Sequence, residues 1–301
     1  MKYKLSIISL SLSLVFLASC EKEKNYLDNA SAGSPNEVGY GLPAGSAFIL
    51  NVDASTTILD TTINVFLSSK SGNSGNVGVS VAPDTATLNA YNDANATEFD
   101  TIPSEVYTYP TSVSIPAGSK TGEAHLKVDI QKLLTYGTSF GMGFKITKVD
   151  ASGVSVQSAN NSVVVIIRVK NQYDGSYVSN GYLYHPASPR SIDKLAKTGT
   201  TAGPNSITMP LGDLGGSGYV ALFTINSDNT VTIAPAPGAA GGTYYMFSSG
   251  LPTTNPGYTA AWSGSSKCNN TYNPDTKTFY VRYGYLGGTG YRVTEEIIQR
   301  Q

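Results

Sequence analysis

The sequence predicts an all-β protein with an N-terminal immunoglobulin-like β-sandwich, followed by a second antiparallel β domain that is a small barrel or another sandwich. Composition supports this class, because charged residues make up 14% of the chain against a typical value of about 25%, while Gly and Tyr are abundant. Short stretches in which apolar and polar residues alternate recur between turn residues. These observations favour many short strands over long helices.

Residues 1–19 have the pattern of a cleaved export signal. Lys2 and Lys4 precede an apolar run from Leu5 to Leu17, and small residues then lead to Cys20. The run is shorter than the roughly 20 apolar residues that a membrane-spanning helix requires. We therefore expect cleavage before Cys20, acylation of this cysteine, and attachment of the mature protein to a membrane through the lipid.

Residues 20–45 are predicted to form the lipidated cysteine and a flexible tether, because they contain charged residues, Gly, Pro and Ser without an apolar period. The cluster Glu21–Lys24 resembles the short charged signals that direct some bacterial lipoproteins to the outer face of the outer membrane. This resemblance implies a lipid-anchored outer-membrane protein exposed at the cell surface. An ordinary solvated tether is the alternative.

Composition also excludes several classes of partner and cofactor. Removal of residues 1–19, which hold two lysines and no acidic residue, changes the net charge from −1 to −3, and no basic stripe is present to bind nucleic acid. Once Cys20 is acylated, Cys268 has no disulfide partner. The two histidines, His125 and His185, are far apart in the sequence, so we expect no metal site and no cofactor.

The first domain is predicted over residues 46–171. A helix is expected from Asp84 to Tyr91, with Asp84 as its N-cap after Pro83. The nearly continuous apolar run Val163–Val169 predicts a central strand that is covered on both faces. With about seven short strands in all, an immunoglobulin-like sandwich is expected. The other predicted strands lie at 63–67, 77–81, 113–115, 124–130 and 140–146.

The second domain is predicted over residues 172–301, beginning in the turn cluster Asn171–Gly175. Turns at Asn226–Asn229 and Asn273–Asp275 predict two hairpins. A succession of antiparallel strands with short links favours a small barrel or a second sandwich. The predicted strands are 176–184, 206–211, 219–225, 230–234, 243–247, 267–272, 277–285 and 291–298.

Two groups of motifs carry a family resemblance. VSIPAGSKTGEAHLKVDI (113–130), together with the helical insert after VSVAP, resembles an uncharacterised N-terminal domain of outer-membrane lipoproteins that is similar to Calx-beta and other immunoglobulin-like sandwiches. YDGSYVSNGY (173–182), YNPDTKTFYVRYGY (272–285) and YRVTEEII (291–298) resemble the lipocalin-like or barrel-like domain that often follows it. The resemblance implies a surface lipoprotein of a starch-utilisation-like glycan uptake system.

The sequence predicts no catalytic residues. Some relatives carry a chitinase-like endoglycosidase barrel after the N-terminal domain, but a (β/α)₈ barrel needs about 250 residues with regular helices, which this chain lacks. Gly137–Gly141 matches G-x-S-x-G, yet it runs into a predicted strand instead of a helix. Glu295 and Glu296 are adjacent, so on a strand they point to opposite faces. We therefore expect that the protein is not an enzyme.

Aromatic residues place a candidate ligand site on the second domain, because tyrosine offers both a flat ring and a hydroxyl to a sugar. Trp262 is the first candidate, since it lies in a predicted loop with Tyr258 nearby. Alternation along the strand 277–285 turns Tyr280 and Arg282 outward, where they could contact the same ligand. The alternatives are that Trp262 closes one end of the core and that the tyrosines are ordinary sheet residues.

The function expected from these observations is a non-catalytic cell-surface accessory that binds glycan. We expect a monomer that is held to the membrane by its lipid anchor and acts with an outer-membrane transporter complex of a polysaccharide uptake system. An adhesin or structural cell-surface module is the second interpretation, and a glycan-processing enzyme is the third.

Three Asp–Thr motifs resemble the acceptor of a general bacterial O-glycosylation system. They place the candidate modified residues at Thr61, Thr85 and Thr101. Chance occurrence of polar triplets at turns and strand starts is the alternative.

Overall fold

The computed structural model of the chain describes residues 36–42, 45–69, 72–247 and 261–301. The predicted export signal, Cys20 and Tyr258 lie outside these residues. Strands dominate both halves of the described chain, so the predicted all-β class with two domains is confirmed. In the described ranges, no helix is long and apolar enough to cross a membrane.

The first domain packs two sheets face to face. Its strands are β1 (Asn36–Tyr40), β2 (Ala47–Asp53), β3 (Ile58–Ser68), β4 (Val77–Pro83), β5 (Asp100–Thr101), β6 (Tyr107–Thr108), β7 (Ser112–Ile115), β8 (Thr121–Asp129), β9 (Ser139–Asp150), β10 (Val154–Val156) and β11 (Ser162–Lys170). One sheet has the order β10-β1-β3-β8-β6, and the other has the order β2-β11-β9-β4-β7, with β5 paired to β9. Alternate residues of both sheets meet in one apolar core, as in a β-sandwich.

A helix, α1 (Thr85–Asn95), follows β4 and covers the outer face of β11. Asp84 is its N-cap in an extended conformation, and the Thr87 hydroxyl donates a 2.5 Å hydrogen bond to the Asp84 carboxylate. Leu88 is buried against Val164 and Ile166. Since Val163, Val165 and Ile167 face the inter-sheet core, β11 is covered on both faces as predicted. A second, unpredicted helix, α2 (Ile130–Leu133), is only one turn long.

The strand β1 lies within the stretch predicted as a tether, so that prediction is wrong for residues 36–40. β1 pairs with β3 on one side and with β10 on the other. Val38 and Tyr40 are fully buried in the core of the sandwich. Only two apolar side chains mark this strand, and the surrounding Gly, Ser and Pro hide their alternation. The first domain therefore includes Asn36 instead of beginning at residue 46.

The second domain is one strongly curved antiparallel sheet. Its strands are β12 (Gly175–Tyr184), β13 (Arg190–Gly203), β14 (Ser206–Pro210), β15 (Val220–Ile225), β16 (Val231–Pro235), β17 (Tyr244–Met246), β18 (Thr271–Asn273), β19 (Thr278–Gly287) and β20 (Gly290–Arg300). The order is β16-β15-β14-β13-β12-β20-β19-β17, and β18 also pairs with β19. Contacts such as Tyr272 N to Asn229 O at 2.8 Å bring the two ends of the sheet together, so the sheet is a nearly closed barrel.

Tyrosines and phenylalanines fill much of the barrel core. Tyr177, Phe223, Phe279 and Tyr283 are each fully or almost fully buried there. Their rings meet edge-on or tilted, for example at 5.6 Å between the centroids of Phe223 and Tyr283. Such arrangements match the charge distribution of aromatic rings. Many of the tyrosines in this domain are therefore packing residues, as the alternative interpretation anticipated.

The longest strand of the domain, β13, is absent from the sequence prediction. Its inward positions along the second half are Lys197, Gly199, Thr201 and Gly203, and all four are buried. Small and polar residues at inward positions give no apolar alternation, which is the signal on which strand prediction depends.

Candidate functional site

The strand β19 presents different chemistry on its two faces. Phe279, Val281 and Tyr283 point into the barrel core and are fully buried. Tyr280 and Arg282 lie on the opposite, outer face, as alternation predicts. The neighbouring strand β18 pairs with this half of β19, with Thr271 opposite Tyr280. The outer face of β18 and β19 is therefore the first surface to consider for ligand binding.

A segment that we call the outer loop, residues 261–268, folds over part of this outer face. The Arg282 Nη2 atom donates a 2.5 Å hydrogen bond to the Ser265 carbonyl oxygen. Cys268 is buried, with its Sγ atom 3.5 Å from the Glu296 carbonyl oxygen. Burial raises the pKa of the Cys268 thiol to about 12, so the thiol stays protonated at neutral pH. These two residues hold the outer loop against the sheet.

Arg282 is mostly enclosed beneath the outer loop. Its Nε atom donates to Glu295 Oε1 at 2.6 Å, and the Glu295 side chain is fully buried. The Tyr184 hydroxyl donates to Glu295 Oε2 at 3.1 Å and accepts a hydrogen bond from the Ala261 backbone N–H at 2.6 Å. Arg282 therefore lies on the outer face, as predicted, but its guanidinium group is engaged by Glu295 and the outer loop.

Beside the covered area, the outer face forms an open depression of 480 Å³ that we call the Tyr280 groove. The residues around it include two tyrosines, two amides, a lysine and a carboxylate. Its lining residues are Lys267, Asn269, Thr271, Tyr272, Asn273, Pro274, Asp275 and Tyr280. A flat ring surrounded by hydrogen-bonding groups of both charge signs suits a polar, polyhydroxylated ligand better than an apolar one.

Local hydrogen bonds set the shape of the groove rim. Asn273 Oδ1 accepts from the backbone N–H groups of Asp275 and Thr276 at 2.9 and 3.1 Å, which fixes the turn between β18 and β19. On the other side, the Thr271 hydroxyl donates to Asn269 Oδ1 at 2.7 Å. The groove is therefore built before any ligand binds.

Trp262 lies in the outer loop and does not line the groove. Its half-buried ring rests on the backbone of Gly264, where an added Cβ would approach the ring to 2.5 Å. Lys267, five positions further along the same loop, does line the groove. Among the described residues, the apolar clusters of the barrel do not include Trp262. The structure thus brings Tyr280 and Arg282 onto one face, with Trp262 in the loop that covers Arg282.

Most of the groove residues were not singled out in the sequence. The sequence predicts a strand over Lys267–Tyr272 and a turn at Asn273–Asp275, whereas the strand in the structure is limited to Thr271–Asn273. A usable signal was present, because consecutive amide and hydroxyl side chains at 269–273 are unusual within a strand that has a buried face.

The interior face of the barrel holds an unpredicted buried ion pair. Lys197 Nζ donates to Glu296 Oε1, and both side chains are completely buried. Ser179 and Tyr283 hydroxyls donate to the same carboxylate at 2.8 and 2.9 Å. Burial lowers the pKa of Lys197, an effect that Glu296 opposes, and burial followed by the Glu296 charge raises the pKa of Tyr283. Enclosed in this way, the pair acts as a structural element of the core.

The other residues considered for chemistry are scattered. His125 lies on the exposed face of β8, 3.2 Å from Asp60, and Ser139 begins β9 instead of occupying a strand-to-helix turn. Within the described part of the chain, no group of three or more His, Cys, Asp or Glu side chains is placed to hold a metal ion. Thr85 and Thr101 are exposed at the start of α1 and in β5, whereas Thr61 is half-buried in β3.

These features define a class: a two-domain all-β protein with a sandwich followed by a nearly closed barrel, and with a shallow polar groove on the outside of the barrel. Residues 38–153 match a family model described as an N-terminal domain. Residues 161–298 match a second family model, described as C-terminal. The two matches follow each other along the chain in the order of the two folded units.

Solved structures from Bacteroides share this fold. A protein of unknown function from Bacteroides ovatus is 17% identical, with a TM-score of 0.55 over 87% of this chain and 94% of that one. A multidomain protein including DUF1735 from the same species is 16% identical, with a TM-score of 0.54 over 87% and 93%.

A third similar structure is described as an auxiliary nutrient binding protein from Bacteroides thetaiotaomicron. It is 17% identical, with a TM-score of 0.50 over 85% of this chain and 91% of that chain. At these identities the similarity establishes the fold alone. No match was found among curated proteins.

Proposed function

We propose that this protein is a non-catalytic cell-surface lipoprotein that binds glycan through its second domain, as an accessory of a polysaccharide uptake system. The observation that carries the proposal is the Tyr280 groove, which is preformed, open and lined by polar groups around a tyrosine ring. The description of a structural neighbour as an auxiliary nutrient binding protein supports the same class of function.

The proposed cellular context follows from the sequence. Cys20 would carry the lipid anchor, the tether would hold the two domains outside the outer membrane, and a transporter complex would receive the glycan. The protein would act as a monomer without cofactor or catalysis.

The groove also sets an expectation for affinity. Its open shape leaves much of a bound sugar in contact with water, and its two tyrosines offer limited contact area because Tyr272 is buried. We therefore expect a dissociation constant in the micromolar to millimolar range, which corresponds to about −4 to −8 kcal/mol.

Substitution of Tyr280 by alanine tests the proposal. A glycan array first identifies the oligosaccharide that the purified wild-type protein binds, and isothermal titration calorimetry then compares the variants. Tyr280→Ala should weaken binding roughly tenfold or more, because stacking and hydroxyl contacts are lost together. Tyr136→Ala is the control, since Tyr136 is a solvent-exposed tyrosine that belongs to the first domain.

Two results would contradict the proposed function. One is the absence of any array signal with a correctly folded protein. The other is a Tyr280→Ala variant that binds the selected oligosaccharide as tightly as the Tyr136→Ala control does.

A further inference from the structure

Four connections of the second domain meet at one end of the barrel, which we call the barrel mouth. The strand registers place them there, because Tyr184 pairs with Val293, Gly287 with Gly290, and Pro210 with Val220. The four connections are residues 185–189, 211–219, 236–243 and 288–289. The turn that borders the Tyr280 groove lies at the opposite end of β19, so the barrel mouth is a separate surface. Mouths of β-barrels are common ligand sites.

The barrel mouth combines cationic and aromatic side chains. The Arg292 guanidinium carbon lies 5.4 Å from the centroid of the Tyr285 ring, and the Tyr219 ring lies 4.6 Å from the same ring. Arg190 begins β13 beside them. Arg292, Arg190, His185 and Tyr219 are only partly buried, so a ligand in solution can reach them.

The two arginines of the barrel mouth differ in how their charge is balanced. Arg190 forms a two-pronged ion pair with Asp213, with its Nε atom 2.5 Å from Oδ2 and its Nη2 atom 2.7 Å from Oδ1. Across the described ranges, no carboxylate lies within ion-pairing distance of Arg292. The hydrogen bonds of Arg292 go to the His185 ring and to the Gly290 carbonyl oxygen. Its positive charge is therefore left without a neutralising partner there.

His185 adds to an excess of hydrogen-bond donors. Its Nδ1 atom faces the backbone N–H groups of Ala187 and Ser188, both at 3.1 Å, and its Nε2 atom faces Arg292 Nε at 3.0 Å. A neutral imidazole accepts at one nitrogen and carries a proton on the other. Of the three N–H groups that face the ring, at least one therefore points at a ring nitrogen that itself carries a proton.

The charged side chains that act on His185 are both positive. Burial, followed by the positive charges of Arg292 and Arg190, lowers the pKa of His185. A negatively charged acceptor would relieve both the donor excess and this repulsion.

We propose that the barrel mouth binds a carboxylate-bearing ligand, with Arg292, held over the buried Tyr285 ring, as its ion-pair partner and the partly exposed Tyr219 ring as a surface beside it. The carboxylate is carried either by a uronate unit of an acidic glycan or by a free organic acid. An arginine fork matches a carboxylate in shape, and its stacking on a tyrosine ring pre-orients it. This site goes beyond the proposed function and does not depend on the Tyr280 groove.

The probes are trigalacturonate, a neutral galactose trisaccharide and succinate, each titrated into the purified full-length protein by isothermal titration calorimetry. Trigalacturonate should bind more tightly than the neutral trisaccharide, and the difference should shrink at high salt because screening weakens the ion pair. Binding of trigalacturonate alone identifies a uronate unit as the source of the carboxylate. Binding of succinate as well shows that a free acid suffices.

The Arg292→Gln variant locates the site. It should weaken carboxylate binding roughly tenfold to a hundredfold, because a charged hydrogen-bonding partner is lost. Arg168→Gln is the matched control, since Arg168 also lies over an aromatic ring, 5.7 Å from the Phe99 centroid, but in the first domain. Binding of a neutral glycan in the Tyr280 groove should be the same in both variants, which separates a failure of this site from a failure of the proposed function.

The site is overturned if neither carboxylate probe binds at millimolar concentration, or if Arg292→Gln binds them as Arg168→Gln does. Circular dichroism and thermal melting establish that each variant is folded. If Arg292→Gln does not fold, Arg292→Lys takes its place, because it keeps the charge and loses the fork. A loss of about threefold or more is then expected, and unchanged affinity overturns the proposal.

Discussion

Two adjacent glutamates organise the charged interior of the second domain. Glu296 points into the barrel and pairs with Lys197, whereas Glu295 points outward and pairs with Arg282 under the outer loop. Both are fully buried, so each depends on its partner to offset the cost of removing a carboxylate from water. Because the two glutamates are adjacent on β20, they connect the buried Lys197–Glu296 pair inside the barrel to the Arg282–Glu295 pair on its outer side.

Lys197→Met should destabilise the protein by about 3–5 kcal/mol, because it leaves the Glu296 carboxylate buried without a counter-charge. Urea denaturation followed by tyrosine fluorescence measures the free energy of unfolding. Lys145→Met, at an exposed position of β9, is the control and should change that free energy by about 0.5 kcal/mol or less.

A double variant, Lys197→Met with Glu296→Gln, isolates the charge effect at the same positions. It should be more stable than Lys197→Met alone, because the uncompensated carboxylate is gone. Equal stability of the single and double variants would show that shape, and not charge, sets the cost at this pair.

Individual elements show which parts of the fold and site the sequence could predict. A nearly continuous apolar run located β11 and its two covered faces, and alternation located the two faces of β19, because the inward residues of both strands are large and apolar. The sequence prediction missed β13 because its buried positions include Lys197 and Gly199, which give no apolar alternation. Lys197 can be buried only because Glu296, on another strand, balances its charge. The outward orientation of Tyr280 followed from the alternation of β19 alone. The contacts of Arg282 could not be predicted, since its partners Ser265 and Glu295 lie in the irregular outer loop and on another strand.

The junction between the domains is the element that carries a pH-sensitive contact. The chain leaves β11 at Lys170 and enters β12 at Gly175. Between them, Asn171 Nδ2 donates to the carbonyl oxygens of Gly203 and Ser206, both at 2.7 Å. The Asp174 carboxylate accepts from the backbone and hydroxyl of Thr201, each at 2.9 Å, and lies 3.0 Å from Lys170.

Asp174→Asn tests this contact through its pH dependence. Burial alone would raise the pKa of Asp174, but hydrogen bonds from Thr201 and Lys170 outweigh it and hold that pKa below 3.8. A lowered pKa stabilises the folded state above about pH 4, and this stabilisation is lost as the pH falls through the folded-state pKa. We expect Asp174→Asn to cost about 1 kcal/mol at neutral pH and progressively less toward pH 3.

Urea denaturation at several pH values measures this difference, and Asp193→Asn, at an exposed position on β13, is the control. A gap between wild type and Asp174→Asn that keeps its size down to pH 3 would contradict a role for the ionised carboxylate.

The two domains of the described structure differ in the surfaces that they offer to a ligand. The first domain is a sandwich whose core fills the space between its sheets. The second domain has an aromatic and aliphatic core that encloses the Lys197–Glu296 ion pair, an outer groove at one end of β19 and a cationic mouth at the other. The proposed glycan contact therefore belongs to the second domain, and the first domain would serve to position it.

Nuclear magnetic resonance titration of the isotope-labelled protein with the array-selected oligosaccharide tests this claim most directly. We predict that the largest backbone amide shifts fall at Asn269, Thr271, Asn273 and Tyr280, which line the groove. Shifts confined to residues 36–170 would place the ligand on the first domain and contradict the account.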